Sequence, residues 1–285
     1  MKKTAMLIIG IVLIAAHGQS ILAKQVWPTY STYLEGSDQD FGQAIDVDSS
    51  GAAYVVGYTH SSDFPSENAY QATISSPQNV FVTKFAPSGS SLVYSTYLGG
   101  SDWDAGYGIS VFDGEAYVTG RVGSSDFPTK NPYQPGLTGS SDFFISKLDS
   151  TGSSLVYSTY LGGEGTDIAY GISVSGGEAH VTGKTTSDNF PVKNAYQTSR
   201  AGGSNYDAVI AKLGSGGSSL IYSTYWGGNG VDIGNGISAI GGAAYITGQT
   251  TAGNFPTVNA YQPTLAGGGG FWPDYYYDGF VSKLA

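Results

Sequence analysis

The sequence predicts an all-β protein assembled from four copies of one structural unit. The segment Tyr-Ser-Thr-Tyr recurs with its first tyrosine at positions 30, 94, 157 and 222, at intervals of 64, 63 and 65 residues. A period this regular is the sequence signature of a repeat architecture. Charged residues make up only 12% of the chain, which contains 43 glycines and 22 tyrosines. This composition is typical of short strands joined by turns.

Each unit carries four short apolar stretches separated by turn residues. In the second unit these are Ser91–Leu98, Ile109–Phe112, Ala116–Arg121 and Phe143–Leu148. The pattern predicts four antiparallel strands per unit, with units at about residues 30–93, 94–156, 157–221 and 222–285. One such sheet cannot bury both of its faces, whereas four sheets packed around an axis can. We therefore expect a four-bladed β-propeller, and the alternative is an open stack or prism.

The two ends of the repeated region suggest how the ring closes. The first unit begins directly at the signature strand, Tyr30–Leu34, and the fourth unit stops at Lys283-Leu284-Ala285. One end thus has an additional strand and the other lacks one. We expect Tyr30–Leu34 to complete the last blade, which would close the ring and remove the open sheet edges.

Four motifs together resemble a known family. They are Tyr94–Gly100, Asp104–Ile109, Ala116–Gly120 and Asp126–Pro128. Their combination resembles the SBBP β-propeller repeat family of bacterial exported proteins, over about residues 30–285. The resemblance implies a propeller and an exported or cell-surface setting, and it implies no activity. The family name suggests seven blades, whereas four repeats are present here.

Residues 1–23 are typical of a secretory signal peptide, which leaves 24–285 as a single propeller domain. Lys2 and Lys3 precede a mostly apolar run, Ala5–Ala16, that is too short to span a bilayer comfortably. An uncleaved membrane anchor is the alternative. The chain contains no cysteine, so no disulfide can form. We expect a bacterial protein that is secreted, periplasmic or associated with the cell surface, with no membrane insertion after cleavage.

The formal net charge of −10 limits the partners that the protein can have. Nucleic acid is a poor partner, because binding it requires a basic surface that neutralises phosphates. An acidic surface is compatible with cations and with neutral ligands such as sugars.

One aspartate recurs just before the second strand of every unit. The four residues are Asp40, Asp104, Asp167 and Asp232. Four carboxylates around a channel mouth could bind calcium through oxygen ligands, although the pattern requires no cofactor. The alternative is a turn aspartate that accepts backbone N–H bonds once per blade.

A tyrosine followed by a glutamine recurs in the loop after the third strand. The tyrosines are Tyr70, Tyr133, Tyr196 and Tyr261. An aromatic face beside an amide is the combination that a sugar site uses. The alternative is that the amides tie down the backbone of their own loop.

The largest departure from the fourfold pattern is an insertion in the last unit. Fifteen residues separate Gln262 from Asp278, against nine between Gln197 and Asp207. The insertion adds glycines and five aromatic residues, which are Phe271, Trp272, Tyr275, Tyr276 and Tyr277. Clustered aromatics often mark a binding surface. The alternative is an aromatic plug that covers the closure seam or one channel mouth.

Catalysis has little support in the sequence. Outside the signal peptide the histidines are His60 and His180, and neither Gly-x-Ser-x-Gly nor His-Glu-x-x-His occurs. The favoured hypothesis is a non-enzymatic scaffold that binds a glycan or an extracellular protein. The alternatives are a carbohydrate-active hydrolase or lyase that uses the axial carboxylates, and a purely structural cell-surface component.

Overall fold

The computed structural model describes residues 27–201, 203, 205–265 and 277–285. These residues form fifteen β-strands and no helix, which confirms the predicted all-β class. In this part of the chain no helix is long and apolar enough to cross a membrane.

The strands form four antiparallel sheets in chain order, and each sheet is one blade. The first blade contains β1 (Asp40–Val47), β2 (Ala53–Thr59), β3 (Asn79–Phe85) and β4 (Leu92–Leu98). The second contains β5 (Asp104–Phe112), β6 (Glu115–Val122), β7 (Asp142–Leu148) and β8 (Leu155–Leu161). The third contains β9 (Asp167–Ser175), β10 (Glu178–Thr185), β11 (Asp207–Leu213) and β12 (Leu220–Trp226). The fourth contains β13 (Asp232–Ile240), β14 (Ala243–Thr250) and β15 (Asp278–Leu284).

Within a blade, consecutive strands pair in a meander, so the first strand lies at the inner edge and the fourth at the outer edge. The inner strands β1, β5, β9 and β13 contact one another in sequence order. Each hairpin between an inner strand and the next strand turns through a glycine with positive φ, for example Gly51 at 85° and Gly114 at 77°. Only glycine adopts this conformation without strain. The signature strand is thus the outer strand of the preceding blade.

The hydrophobic core lies between neighbouring blades. Val56 and Val82 of the first blade pack in one cluster with Ile109 of the second. The next cluster joins the second and third blades through residues such as Ile145 and Val181. A blade buries both of its faces only where it has a neighbouring blade on each side. The stability of each blade therefore depends on its contacts with the neighbouring blades.

The predicted ring closure by Tyr30–Leu34 is wrong in this structure. In the part of the chain that the structure describes, the fourth sheet has three strands, and residues 27–39 form no strand. Tyr33 is 87% exposed. The physical reason is that this segment is held against the first blade: a Cβ on Gly89 would collide with the ring of Tyr30. The last blade lies at the other end of the array, and its outer edge is not covered by this segment.

Candidate ligand-binding site

The four recurrent aspartates each close the turn that leads into the inner strand of their blade, and in the last three copies this turn connects the blade to the preceding one. The backbone N–H of a glycine four residues earlier donates to the aspartate at 2.6–2.8 Å in every copy, from Gly36, Gly100, Gly163 and Gly228. Hydroxyl groups at the end of the neighbouring strand add further bonds. In the third blade Thr185 and Ser187 donate to Asp167, and in the second Ser124 donates to Asp104.

Burial restricts what these aspartates can do. Asp104, Asp167 and Asp232 are fully buried. Burial raises the pKa of Asp104 to about 6 and also raises the pKa of Asp167 and of Asp232. Among the described residues, no three His, Cys, Asp or Glu side chains come together in a way that could hold a metal ion. The hydrogen bonds support the turn interpretation, and calcium binding stays a prediction.

The glutamines of the tyrosine loops also bind their own loops. The side-chain oxygens of Gln71, Gln134 and Gln197 accept the backbone N–H that follows the outer strand, at 3.0–3.2 Å. Their amide nitrogens donate to loop carbonyls two residues further on, at 3.0–3.1 Å. This is the structural role that the sequence left open. The rings of Tyr70, Tyr133, Tyr196 and Tyr261 remain exposed, but without a free amide beside the first three.

Most of the aromatic insertion lies outside the described residues. This applies to Phe271, Trp272, Tyr275 and Tyr276. Tyr277 is described and is 46% exposed. The binding site predicted in this insertion therefore stays a prediction.

A different set of aromatic side chains forms a continuous surface across three blades. We call it the aromatic row, and it consists of Phe41, Tyr58, His60, Trp103, Tyr107 and Tyr170. Ring centroids are 6.0 Å apart from Trp103 to His60, 6.3 Å from His60 to Tyr58, 6.5 Å from Tyr58 to Tyr107 and 5.7 Å from Tyr107 to Tyr170. All six side chains are partly or largely exposed.

Backbone bulges place two of these tyrosines. The pairing of β5 with β6 shifts between Gly106 and Gly108, so Tyr107 is left out of register on the inner strand. In β9 the residue left out is Tyr170, between Ala169 and Gly171. A bulge re-aims the side chain that it displaces. The inner strands of neighbouring blades contact each other, so the two displaced rings meet.

Two cations accompany the aromatic row. The Nζ of Lys184 lies 5.6 Å from the ring centre of Tyr170 and 4.2 Å from that of Tyr206. Arg121 is the second cation. Its positive charge lowers the pKa of Tyr107 and of Tyr170, but by less than burial raises these pKa values. Both phenols therefore stay neutral near pH 7. The surface offers neutral rings, phenol hydroxyls and two positive charges on a chain with a net charge of −10.

The sequence analysis did not identify the aromatic row, although a signal was present. The bulge positions of the four blades hold Gln43, Tyr107, Tyr170 and Asn235. The position of Tyr58 holds Arg121, Lys184 and Gln249 in the other blades. Both positions break the fourfold pattern, which is the sign of a local function. A comparison of the repeats strand by strand would have shown it.

Comparison with known proteins supports the repeat assignment. The SBBP family, described as a beta-propeller repeat, matches residues 29–65, which confirms the resemblance in the first unit. No curated protein gave a match. Among solved structures, the phage phi92 endosialidase is similar with a TM-score of 0.41 and 13% identity, over 86% of this chain and 35% of that chain. This likeness indicates nothing about what the chain binds. The fold and the family match together define a β-propeller repeat protein.

Proposed function

We propose that the protein is an exported, non-enzymatic β-propeller that binds a carbohydrate along the aromatic row. The observation that carries this proposal is the continuous set of partly exposed rings from Trp103 to Tyr170. Sugar rings present apolar C–H faces that pack on aromatic rings, and their hydroxyls pair with polar groups at the ring edges. A row that spans three blades suits an extended glycan better than a single small molecule.

The charges near the row narrow the class of glycan. Arg121 and Lys184 lie beside the tyrosines of the second and third blades. An arginine guanidinium binds a carboxylate through two parallel hydrogen bonds. The proposed ligand is therefore a glycan that contains acidic sugars, with its apolar faces on the rings and its carboxylates near these two cations.

The same geometry favours binding over hydrolysis. Glycosidases of the usual kind need a pair of carboxyl groups about 5–10 Å apart on either side of the bond that is cleaved. Three of the four recurrent aspartates, which are the candidate catalytic carboxylates, are fully buried and accept the hydrogen bonds of their turns. They support the blades, and an enzyme would have to use other carboxylates.

The experiment is a glycan-array screen followed by calorimetric titration of the best ligand. Tyr107→Ala and Tyr170→Ala should each weaken binding by about tenfold or more, because each removes a central ring. The matched control is Tyr133→Ala, which removes an exposed loop tyrosine outside the row. Arg121→Gln should weaken binding of acidic glycans and leave neutral glycans unchanged.

Four outcomes would contradict the proposal. Equal affinities for the Tyr107→Ala variant and the control would place the site elsewhere, with the aromatic insertion as the next candidate. Release of shortened glycan products would favour the hydrolase or lyase. Binding that is lost with chelator would revive the calcium hypothesis. If the protein binds no glycan, the result would favour an extracellular protein partner or a structural role.

A further inference from the structure

The last blade contains a groove beside β15, at the place where the other three blades have an outer strand. In the described residues, β15 pairs with β14 alone. A groove of about 1170 Å³ lies beside it, lined by β15, by loop residues 252–265 and by Trp226. In the first blade the same space holds β4, which pairs with β3 on one side and with loop residues Glu67 and Gln71 on the other. Among the described residues, nothing pairs with β15 or with residues 252–265 on the sides that a strand would bond to.

The segment Tyr30–Leu34 has the sequence of the strand that the groove lacks. Tyr-Ser-Thr-Tyr-Leu also occupies that place in β4 and β8. In this structure the segment sits at the opposite end of the array, against the first blade. Leu34 packs there on Phe64, Phe81 and Tyr97. The Tyr30 ring covers Gly89 as the Tyr94 ring covers Gly152. The segment is already in the position of an outer strand whose blade is absent.

Where two blades meet inside the array, the surface of one packs against a different surface of the next. Each end of the array exposes one of these two surfaces. On the first blade Ile45 is 67% exposed, whereas Ile109 and Ile172 at the same position are buried. On the fourth blade Val281 is 82% exposed and Tyr245 is 40% exposed. Their counterparts in the other three blades are fully buried, and these are Val82, Ile145 and Ile210, and Tyr54, Tyr117 and His180. Each end exposes what an interior blade buries against its neighbour.

We propose that a second copy of this chain fills the groove. The copies join head to tail: Tyr30–Leu34 of one copy pairs with β15 of the other, and the first blade of one packs on the fourth blade of the other. Two such contacts, related by a twofold axis, close the assembly and leave no free end. Two copies of four sheets give eight blades, within the roughly four to eight that propellers typically have. Addition of a strand to an open sheet edge is a common mode of recognition.

The interior blades give the register of this contact. Thr83 faces Ser95 and Ser146 faces Ser158, with hydroxyl oxygens 2.8 Å apart in both pairs. The equivalent pair across the new contact is Ser282 and Ser31. The side chain of Tyr245 should likewise reach a turn carbonyl of the next blade, as the hydroxyl of Tyr54 donates to the Gly114 carbonyl at 3.1 Å.

Closure within one chain would use the same residues, so the test must separate the two arrangements. The chain has no cysteine, which makes cysteine pairing a clean measurement. Ser31→Cys and Ser282→Cys are made as two separate proteins, purified, mixed and oxidised. The products are resolved by mass on a non-reducing gel. The control replaces Ser31→Cys with Ser153→Cys, which is exposed in the turn between β7 and β8 of the second blade, away from both ends.

The proposal predicts a disulfide-linked pair that contains one chain of each variant. It should form at least about tenfold faster than in the control mixture, because strand pairing holds the thiols at a high effective concentration. Light scattering of the unaltered protein should give twice the mass of one chain. Equal rates in both mixtures would overturn the proposal. So would a double variant, S31C with S282C, that oxidises only within single chains, since this shows a ring of four blades.

Discussion

The second and fourth blades have nearly the same sequence pattern but very different surroundings. Ile145 of β7 is fully buried, whereas Val281 at the same place in β15 is 82% exposed. Tyr117 of β6 is buried, and Tyr245 of β14 is not. The second blade has neighbours on both sides and a fourth strand, whereas the described part of the fourth blade has three strands and one neighbouring blade. The difference shows that burial in this protein is set by the next blade.

The largest effect on stability should come from truncating Ile145, and the same change at Val281 is its matched control. Ile145→Ala should lower the free energy of unfolding by about 4 kcal/mol, because it leaves a cavity between two blades. Val281→Ala should change it by less than about 0.5 kcal/mol in the isolated chain, because the side chain is in solvent. Urea denaturation at low protein concentration measures both. Equal losses would show that the fourth blade has a neighbour that covers Val281.

The recurrent turn aspartates also differ in burial between the interior and the end of the array. Asp167→Ala should cost about 3 kcal/mol, because Gly163, Thr185 and Ser187 lose a buried acceptor. Asp40 makes similar bonds at the end of the array, where it is partly exposed. Asp40→Ala should cost about 1 kcal/mol, since water can replace the lost partner. Thermal unfolding of the two variants checks the order, and a larger loss for Asp40→Ala would contradict it.

The contact between the second and third blades should respond to pH through a pair of buried carboxyl groups. Asp142 and Asp167 both face Gly162. Burial, with the nearby Asp167 charge, raises the pKa of Asp142 from 3.8 to about 6. The folded state binds this proton more tightly than the unfolded state, so the group's contribution is fully present below about pH 4 and is lost as the pH rises to about 6.

Asp142→Asn should therefore stabilise the protein at pH 7 by about 2 kcal/mol and have little effect at pH 4. The first blade supplies the matched control, because Asn79 occupies this position and its side-chain oxygen accepts the N–H of Ser75, as Asp142 accepts that of Thr138. Asn79→Asp should have the opposite effect at pH 7. Denaturant titrations at both pH values test the pair, and a gain of the same size at pH 4 and pH 7 would exclude this cause.

The smaller of the two pH-dependent effects concerns the third blade, the interior blade that has His180 in place of the recurrent tyrosine. His180 is fully buried, and its Nδ1 lies 3.1 Å from the Tyr222 hydroxyl. Burial lowers the pKa of His180 from 6.5 to about 4. The unfolded state binds this proton more tightly, so stability is lost as the pH falls from about 6.5 to 4.

His180→Tyr should remove this loss and stabilise the protein by about 1 kcal/mol at pH 5.5, with a smaller change at pH 7. Unfolding free energies at the two pH values provide the measurement. Tyr117→His, at the same position in the second blade, is the reverse control. A gain that does not depend on pH would point to packing instead of titration.

The sequence by itself determined the repeat, the strands and the turns. Strand alternation and turn chemistry act over a few residues, so the strand stretches at Ala116–Arg121 and Phe143–Leu148 could be predicted within a few positions of β6 and β7. The turn role of Asp104 was one of two open alternatives for the same local reason.

Tertiary structure decided the rest. The aromatic row depends on bulges that displace Tyr107 and Tyr170 by one register position, and on neighbouring blades that bring the two rings together. The predicted closure failed because Tyr30–Leu34 fits two places equally well by sequence, the outer edge of the last blade and the side of the first. The local sequence is compatible with both places, so it cannot determine which one the segment occupies. Contacts between blades, which join residues about sixty positions apart, make that choice.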